Sequence, residues 1–153
     1  MGVEQRQMIV DHYNRHSKLM QNQPWFYDWI IDALQRAGVA PDAALCDVGC
    51  GTGELLAQLR AQGYTRLHGA DFAPACVELA SQKLPEAHLF VHDIEHQPLP
   101  TQYDVITLTG VIDFVAHPDA ALRNLRASLK PGGVLLFNIR NRMAYWPLYH
   151  LRG

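Results

Sequence analysis

The stretch Asp47-Val48-Gly49-Cys50-Gly51-Thr52-Gly53 decides the fold. Its first two residues end an apolar run, residues 44–48. Closely spaced glycines permit a tight turn and let a ligand approach the backbone. The leucines after the loop are spaced as in a helix that ends near Gly63. The free N–H groups at the start of such a helix attract a bound anion. We therefore predict a strand, a ligand-binding glycine loop and a helix.

The alternation of strand and helix continues along the chain. Four further strands are predicted, at residues 65–70, 88–91, 103–108 and 134–139. Helices are predicted from Pro74 to just before Pro85 and from Pro118 to Leu129. Strands separated by helices are typical of βαβ units, whose right-handed crossovers favour few topologies. The predicted fold class is α/β, a doubly wound, mostly parallel, Rossmann-like sheet of order 3-2-1-4-5.

The first forty residues show helical rather than strand patterns. A polar helix is predicted at residues 3–19, and a second helix from Pro24 to Gly38 carries an apolar stripe. We assign residues 1–40 to packing and lid helices and residues 41–153 to the ligand-binding domain. The two parts are expected to form one structural domain.

Composition excludes several classes of protein. The 153 residues are 48% hydrophobic and 18% charged, with a net charge of −2, which describes a globular chain rather than a disordered one. No run approaches the ~18 apolar residues of a membrane helix, and the first residues lack a signal-peptide core. The sequence has no block of basic residues of the kind that binds nucleic acid. We predict a cytoplasmic protein with no membrane or nucleic acid partner.

The glycine spacing discriminates between ligand classes. A dinucleotide-binding loop reads G-x-G-x-x-G, but Glu54 stands where its third glycine would be, and the spacing here is G-x-G-x-G. A pyrophosphate would also meet the carboxylates of Asp47 and Glu54, which disfavours a nicotinamide-dependent oxidoreductase. A ligand that carries both an ammonium and a carboxylate group, such as an amino acid moiety, suits the loop better.

Five segments in this order resemble the motifs of class I S-adenosylmethionine-dependent methyltransferases of the small-molecule type. The resemblance covers residues 24–140, and its segments are Asp47–Gly53, Asp71-Phe72, His92-Asp93-Ile94, Tyr103–Ile106 and Leu125–Phe137. It implies methyl transfer from S-adenosylmethionine to a small-molecule acceptor by in-line displacement. The Asn/Asp-Pro-Pro motif of nucleic acid amino-methylating enzymes is absent from the sequence.

The resemblance also implies a cofactor site. Asp71 is expected to hold the ribose hydroxyls, with Phe72 packed against the adenine ring. Asp93 is expected to bind the adenine amino group. Position alone places Thr109 and Gly110 near the methionine part. The full predicted set is Asp47, Gly49, Cys50, Gly51, Gly53, Asp71, Phe72, Asp93, Ile94, Thr109 and Gly110.

No catalytic residue is assigned, because a sulfonium methyl group needs a base only if the acceptor loses a proton during attack. Candidates for such a base at the predicted mouth of the site are Tyr13, Asp113 and His117. Cys50 has no histidine placed to activate it and is interpreted as a small filler.

The histidines suggest no metal site. His12 and His16 have the spacing of a zinc pair, but the sequence supplies no third ligand. The run His88, His92 and His96 straddles a strand and a loop, so these side chains are not expected to share a face. We predict no metal.

The fifth predicted strand lies close to the end of the chain at Gly153, whereas the resembling family normally continues with a helix and further strands. We expect the C-terminal strands to be missing. Strand 5 is apolar on both faces and carries no lysine or proline, so its open edge would favour homo-oligomer formation. The alternative function is a cofactor-binding module without turnover.

Overall fold

The computed structural model describes Asp11 and residues 27–138. Its five strands are β1 (Leu45–Val48), β2 (Leu67–Asp71), β3 (His88–Val91), β4 (Tyr103–Leu108) and β5 (Leu129–Phe137). They pair in the order β3-β2-β1-β4-β5, and every pairing is parallel. The predicted α/β class and strand order are confirmed.

Within residues 27–138, four α-helices cover the sheet: α1 (Asp28–Arg36), α2 (Glu54–Ala61), α3 (Pro74–Lys83) and α4 (Pro118–Ala127). Helices α3 and α4 each begin with a proline, which has no N–H to leave unsatisfied at that position. On one face of the sheet, α1 and α2 bury a cluster that includes Ile30, Leu34 and Leu56. On the other face, α4 buries Ala121 and Leu125. Burial on both faces explains the continuous apolar strands.

Strand β5 begins earlier than the sequence predicts. The structure has Leu129 paired with Tyr103, a register shift, and then Val134 paired with Val105. Lys130 and the backbone N–H of Ala44 both donate to the Asp104 carboxylate, which holds the start of β5 against the sheet. Helix α4 accordingly ends at Ala127 rather than at Leu129. The sequence prediction missed the bulge because a contact between distant residues holds it in place.

Several predictions fall outside the described residues. These are the helix at residues 3–19 with His12, Tyr13 and His16, the first residues of the Pro24 helix, Ile139, and the C-terminal continuation. Within residues 27–138, no helix is both long and apolar enough to cross a membrane. In the described sheet, β5 pairs with β4 alone, and self-association through its edge stays a prediction.

Candidate functional site

The glycine loop lies at the carboxyl end of β1, at the centre of the sheet. Gly49 has φ +75° there, and a Cβ atom on it would come within 2.1 Å of Val111 Cγ2. Gly51 has φ +53°, but a Cβ atom there would meet nothing within 4 Å. Gly49 therefore lets the loop pack against the chain that follows β4. Gly51 leaves its backbone open to a ligand.

Asp71 closes β2 and braces this loop. Its Oδ2 atom accepts a hydrogen bond from Gly51 N at 2.8 Å, and its Oδ1 atom accepts one from Ala73 N at 2.9 Å. The residue is only 6% exposed. Burial raises the pKa of this carboxyl group, and the backbone donors oppose that rise. A carboxylate has about four lone-pair sites; backbone groups of Gly51, Ala73 and Phe72 engage up to three of them, so at least one remains for a ligand.

Asp47 lies at the end of β1 and is 3% exposed. Its Oδ1 atom accepts a hydrogen bond at 2.7 Å from the hydroxyl group of Thr107, its register partner on β4. Burial raises the pKa of Asp47 to about 7; the Thr107 hydrogen bond opposes the rise, and the charge of Asp71 adds to it. We call Asp47, Asp71, Thr107 and the glycine loop the floor of the site.

The floor has no positive charge of its own in the described part of the chain. None of the ion pairs between described residues includes Asp47 or Asp71. Glu54, at the start of α2, is already paired with Lys83 and accepts from Thr52. Two buried carboxylates without a basic partner favour a cationic ligand, because an unpaired buried charge is costly.

A cavity enclosing about 490 Å³ of empty space, part of it open to solvent, lies beside the floor. Five of the predicted binding residues line it: Gly49, Asp71, Phe72, Asp93 and Ile94. The cavity is therefore at the strand ends where open α/β sheets bind ligands.

The opposite wall of the cavity contains residues that the sequence analysis missed. Val111, Phe114 and Val115 come from the segment between β4 and α4, and Glu95 follows the predicted Asp93-Ile94 pair. Their only signal in the sequence is that they follow strand ends. We call residues 93–95 and 111–117 the rim of the site.

Asp93 has a more open environment than Asp71. Its Oδ1 atom accepts from Glu95 N at 3.0 Å, and its Oδ2 atom lies 2.7 Å from His96 Nδ1. The side chain is 30% exposed. It lines the cavity with both oxygens engaged locally, so any ligand contact would use the remaining lone pairs.

The other predicted residues lie around the glycine loop and the end of β4. Gly53 is the N-cap residue of α2. Burial raises the pKa of the Cys50 thiol far above its usual range, in keeping with a filler role. Thr109 Oγ1 is buried with no hydrogen-bond partner among the described residues. Gly110 N donates to Asn138 Oδ1 at 2.7 Å. A buried hydroxyl group without a partner at this strand end is available to a ligand.

The candidates for a catalytic base are not gathered at the floor. Asp113 and His117 are exposed, and Tyr13 lies outside the described residues. Tyr27, just before α1, feels the charges of the floor: burial, Asp47 and Glu54 together raise its pKa to about 12. A tyrosine with this pKa stays protonated at neutral pH and can donate a hydrogen bond.

The histidine prediction needs a correction. His88 and His92 both contact the ring of Phe90, with ring centroids 5.4 and 5.9 Å away. The two-residue period of β3 persists one residue beyond its end, so these side chains do share a face. His96 instead pairs with Asp93. No group of three metal-ligating side chains occurs among the described residues.

Comparison with known proteins gives consistent matches. A family profile described as a methyltransferase domain matches residues 15–152. Methyltransferase-like protein 27 of Homo sapiens is 32% identical over 115 residues, 72% of this chain and 46% of that protein. The ubiquinone biosynthesis O-methyltransferase of Serratia proteamaculans is also 32% identical over 115 residues, 71% of this chain and 47% of that protein. The chain thus spans about half the length of these curated relatives.

A solved structure adds a comparison at the level of the fold. It is an amino pentose methyltransferase from Micromonospora echinaspora, involved in calicheamicin biosynthesis, with S-adenosylmethionine bound. It is 28% identical to this chain, with a TM-score of 0.67, and the match covers 92% of this chain and 57% of that one.

Proposed function

The chain belongs to the methyltransferase domain family, and on that premise we propose that it acts in methyl transfer from S-adenosylmethionine to a small-molecule acceptor. The observation that carries the proposal is the floor, where two buried carboxylates, without a basic partner among residues 27–138, lie beside an open glycine loop. S-adenosylmethionine carries a sulfonium and an ammonium group. The cofactor therefore carries the positive charge that can pair with the carboxylates of the floor.

The residues at the cavity fit the remaining groups of that cofactor. Asp71 keeps lone-pair capacity for a ribose hydroxyl group after it has accepted from the backbone. Phe72 and Ile94 supply apolar surface for an aromatic ring, and Asp93 supplies an acceptor beside them. The buried hydroxyl group of Thr109 offers a further polar contact. This fit supports the cofactor roles that the resemblance implies.

The proposed chemistry asks little of the side chains beyond binding and orientation. The bound cofactor supplies an activated methyl group, so the positions of donor and acceptor contribute most of the rate. Asp47 and Asp71 would attract the cationic ligand, and the rim would restrict access of water to it. We assign no general base, since the exposed positions of Asp113 and His117 distinguish neither of them.

The acceptor class rests on charge. A net charge of −2 and the lack of a basic run support a small molecule in preference to a nucleic acid. The cytoplasmic location predicted from the sequence is kept as part of the proposal. The names of the relatives give different kinds of methyl acceptor, so they support no single substrate.

Two measurements test the proposal. Mass spectrometry of ligands that copurify with the protein should identify S-adenosylmethionine or its demethylated product. Incubation with methyl-labelled S-adenosylmethionine and a panel of small hydroxyl and amine acceptors should then transfer label to one class. Binding without transfer to any acceptor would favour the alternative, a cofactor-binding module. Absence of binding would contradict both.

A further inference from the structure

Glu95 connects the two segments of the rim, residues 93–95 and residues 111–117. It belongs to the rim segment that follows β3 and lines the cavity itself. Its Oε2 atom accepts hydrogen bonds from Ala116 N at 3.1 Å and from His117 N at 2.9 Å. Those two residues end the opposite rim segment, just before α4 begins at Pro118. One carboxylate therefore joins rim segments more than twenty residues apart in sequence.

The position of this carboxylate is favourable for a second reason. His117 is the N-cap residue of α4, and its own side chain makes no capping hydrogen bond. The first N–H groups of a helix lack partners within the helix, and a negative charge near them is favourable. Glu95 thus caps α4 from another segment of the chain.

Two further hydrogen bonds fix the wall that carries Glu95. Asn124, within α4, donates through Nδ2 to the carbonyl oxygen of Ile94 at 2.7 Å. Asp93 accepts from the backbone N–H of Glu95 itself. The wall at residues 93–95 is therefore held along α4, and the chain before α4 is held to that wall in return.

The opposite wall is held by packing as well as by this connection, because Val111 and Val115 lie against a core cluster. Phe114 is 41% exposed, and Val111 and Val115 are only partly buried. At the β4 end, the wall begins after Gly110, an exposed residue with φ +67°. The hydrogen bonds to Glu95 hold its other end.

We propose that Glu95 is a positioning residue that sets the width of the cavity at the end that receives the nucleoside ring. The inference rests on the proposed function, since the ring is that of the proposed cofactor. Phe72 and Ile94 line the cavity together with Phe114 and Val115, which come from the segment before α4. A flat ring gains contact with both pairs only if their separation is held.

The test uses Glu95→Gln, Glu95→Ala and a control, Glu78→Ala, at an exposed glutamate on α3. Affinities for S-adenosylhomocysteine and for adenosine alone are measured by calorimetry, well below each variant's melting temperature. Glu95→Ala should weaken both ligands about tenfold or more, the range for lost hydrogen bonds to a charged group. Glu95→Gln should restore most of the affinity, because its amide oxygen can accept the same two N–H groups. Glu78→Ala should match the wild type.

A capping role alone gives a different pattern. If Glu95→Ala lowers the melting temperature but binds both ligands like the wild type, Glu95 only caps α4 and the proposal is wrong. Equal losses in the alanine and glutamine variants would also overturn it. Failure of the wild type to bind either ligand would instead refute the proposed function.

Hydrogen exchange on the wild type tests the same idea without a substitution. The amide protons of Ala116 and His117 should exchange more slowly when S-adenosylhomocysteine binds, because ligand and Glu95 hold the same wall. Unchanged exchange at both amides in the saturated protein would contradict the proposal.

Discussion

The floor and the rim each have an aspartate at a corresponding position after a strand, but the two aspartates have different environments. Asp71 and Asp93 both come at the carboxyl ends of adjacent strands, and both accept a backbone hydrogen bond from two residues further along. Asp71 is 6% exposed and also braces the glycine loop, whereas the Asp93 side chain is 30% exposed and pairs with His96. Substitutions at the floor should therefore affect both binding and stability, while substitutions at the rim should affect binding more gently.

The glycines give the largest expected contrast. Gly49→Ala forces a side chain into the left-handed region and against Val111, so we expect a loss of about 2–5 kcal/mol in the free energy of unfolding. Gly110→Ala, just before the rim, has similar φ but open space around it, and should cost only about 1–2 kcal/mol. Urea denaturation of both variants checks this. Equal losses would mean that the contact between loop and rim is unimportant.

Asp71→Ala should have the next largest effect, this time on ligand binding. Loss of hydrogen bonds to a buried carboxylate should weaken S-adenosylmethionine binding by about 1.5–3 kcal/mol. The variant should also be less stable, because Gly51 N and Ala73 N lose their acceptor. Calorimetry and thermal denaturation measure the two effects. A variant with wild-type affinity would remove Asp71 from the binding site.

The pH dependence of the floor follows from Asp47. Its pKa is about 7 in the folded protein, mainly because of burial, against about 3.9 in an unfolded chain. Between these values the folded state binds more protons, so stability without ligand should fall as pH rises from about 4 to about 7. Asp47→Asn should reduce this slope, and Asp71, whose pKa is also raised, should keep the rest. Thermal denaturation across pH tests it, and an unchanged slope in Asp47→Asn would assign it to other groups.

A cationic ligand should show the opposite trend. The ionised form of Asp47 attracts it, so affinity for S-adenosylmethionine should rise with pH by up to about tenfold per unit near pH 7. Thr107→Val removes the hydrogen bond that favours ionisation and should move this rise to higher pH, whereas Thr107→Ser should keep the wild-type profile. Identical profiles for all three proteins would show that Thr107 does not control the charge.

The smallest effect is expected at Asp93. Because its carboxylate is partly exposed and engaged with His96, Asp93→Ala should weaken cofactor binding by only about 1 kcal/mol. It should also reduce the preference for adenosyl over inosyl analogues, since an ionised Asp93 repels the inosyl oxygen. Competition binding with both analogues measures this, and a wild-type protein without any preference would exclude Asp93 from ring recognition.

The sequence predicts what depends on local pattern. The glycine loop, the helices that begin at Pro74 and Pro118 and the strand order follow from spacing and crossover rules, and all are found. The bulge in β5 depends on Lys130 reaching Asp104, and the pairing of Asp47 with Thr107 depends on strand register.

Contacts across the site were less predictable. Glu95 reaches Ala116 and His117 across more than twenty residues, and no local signal marks such a contact. The sequence supplied one wall of the cavity through the resemblance. The other wall emerged only from the folded chain.

Calorimetric titration tests the central claim most directly. The wild-type 153-residue chain is titrated with S-adenosylmethionine and, separately, with NAD, and the Asp71→Asn variant is titrated with S-adenosylmethionine. Asp71→Asn keeps the shape of the side chain and removes its charge. The floor predicts saturable binding of S-adenosylmethionine to the wild type, strong weakening in Asp71→Asn, and no heat of binding with NAD. Binding of NAD without binding of S-adenosylmethionine, or equal affinity of wild type and Asp71→Asn, would contradict it.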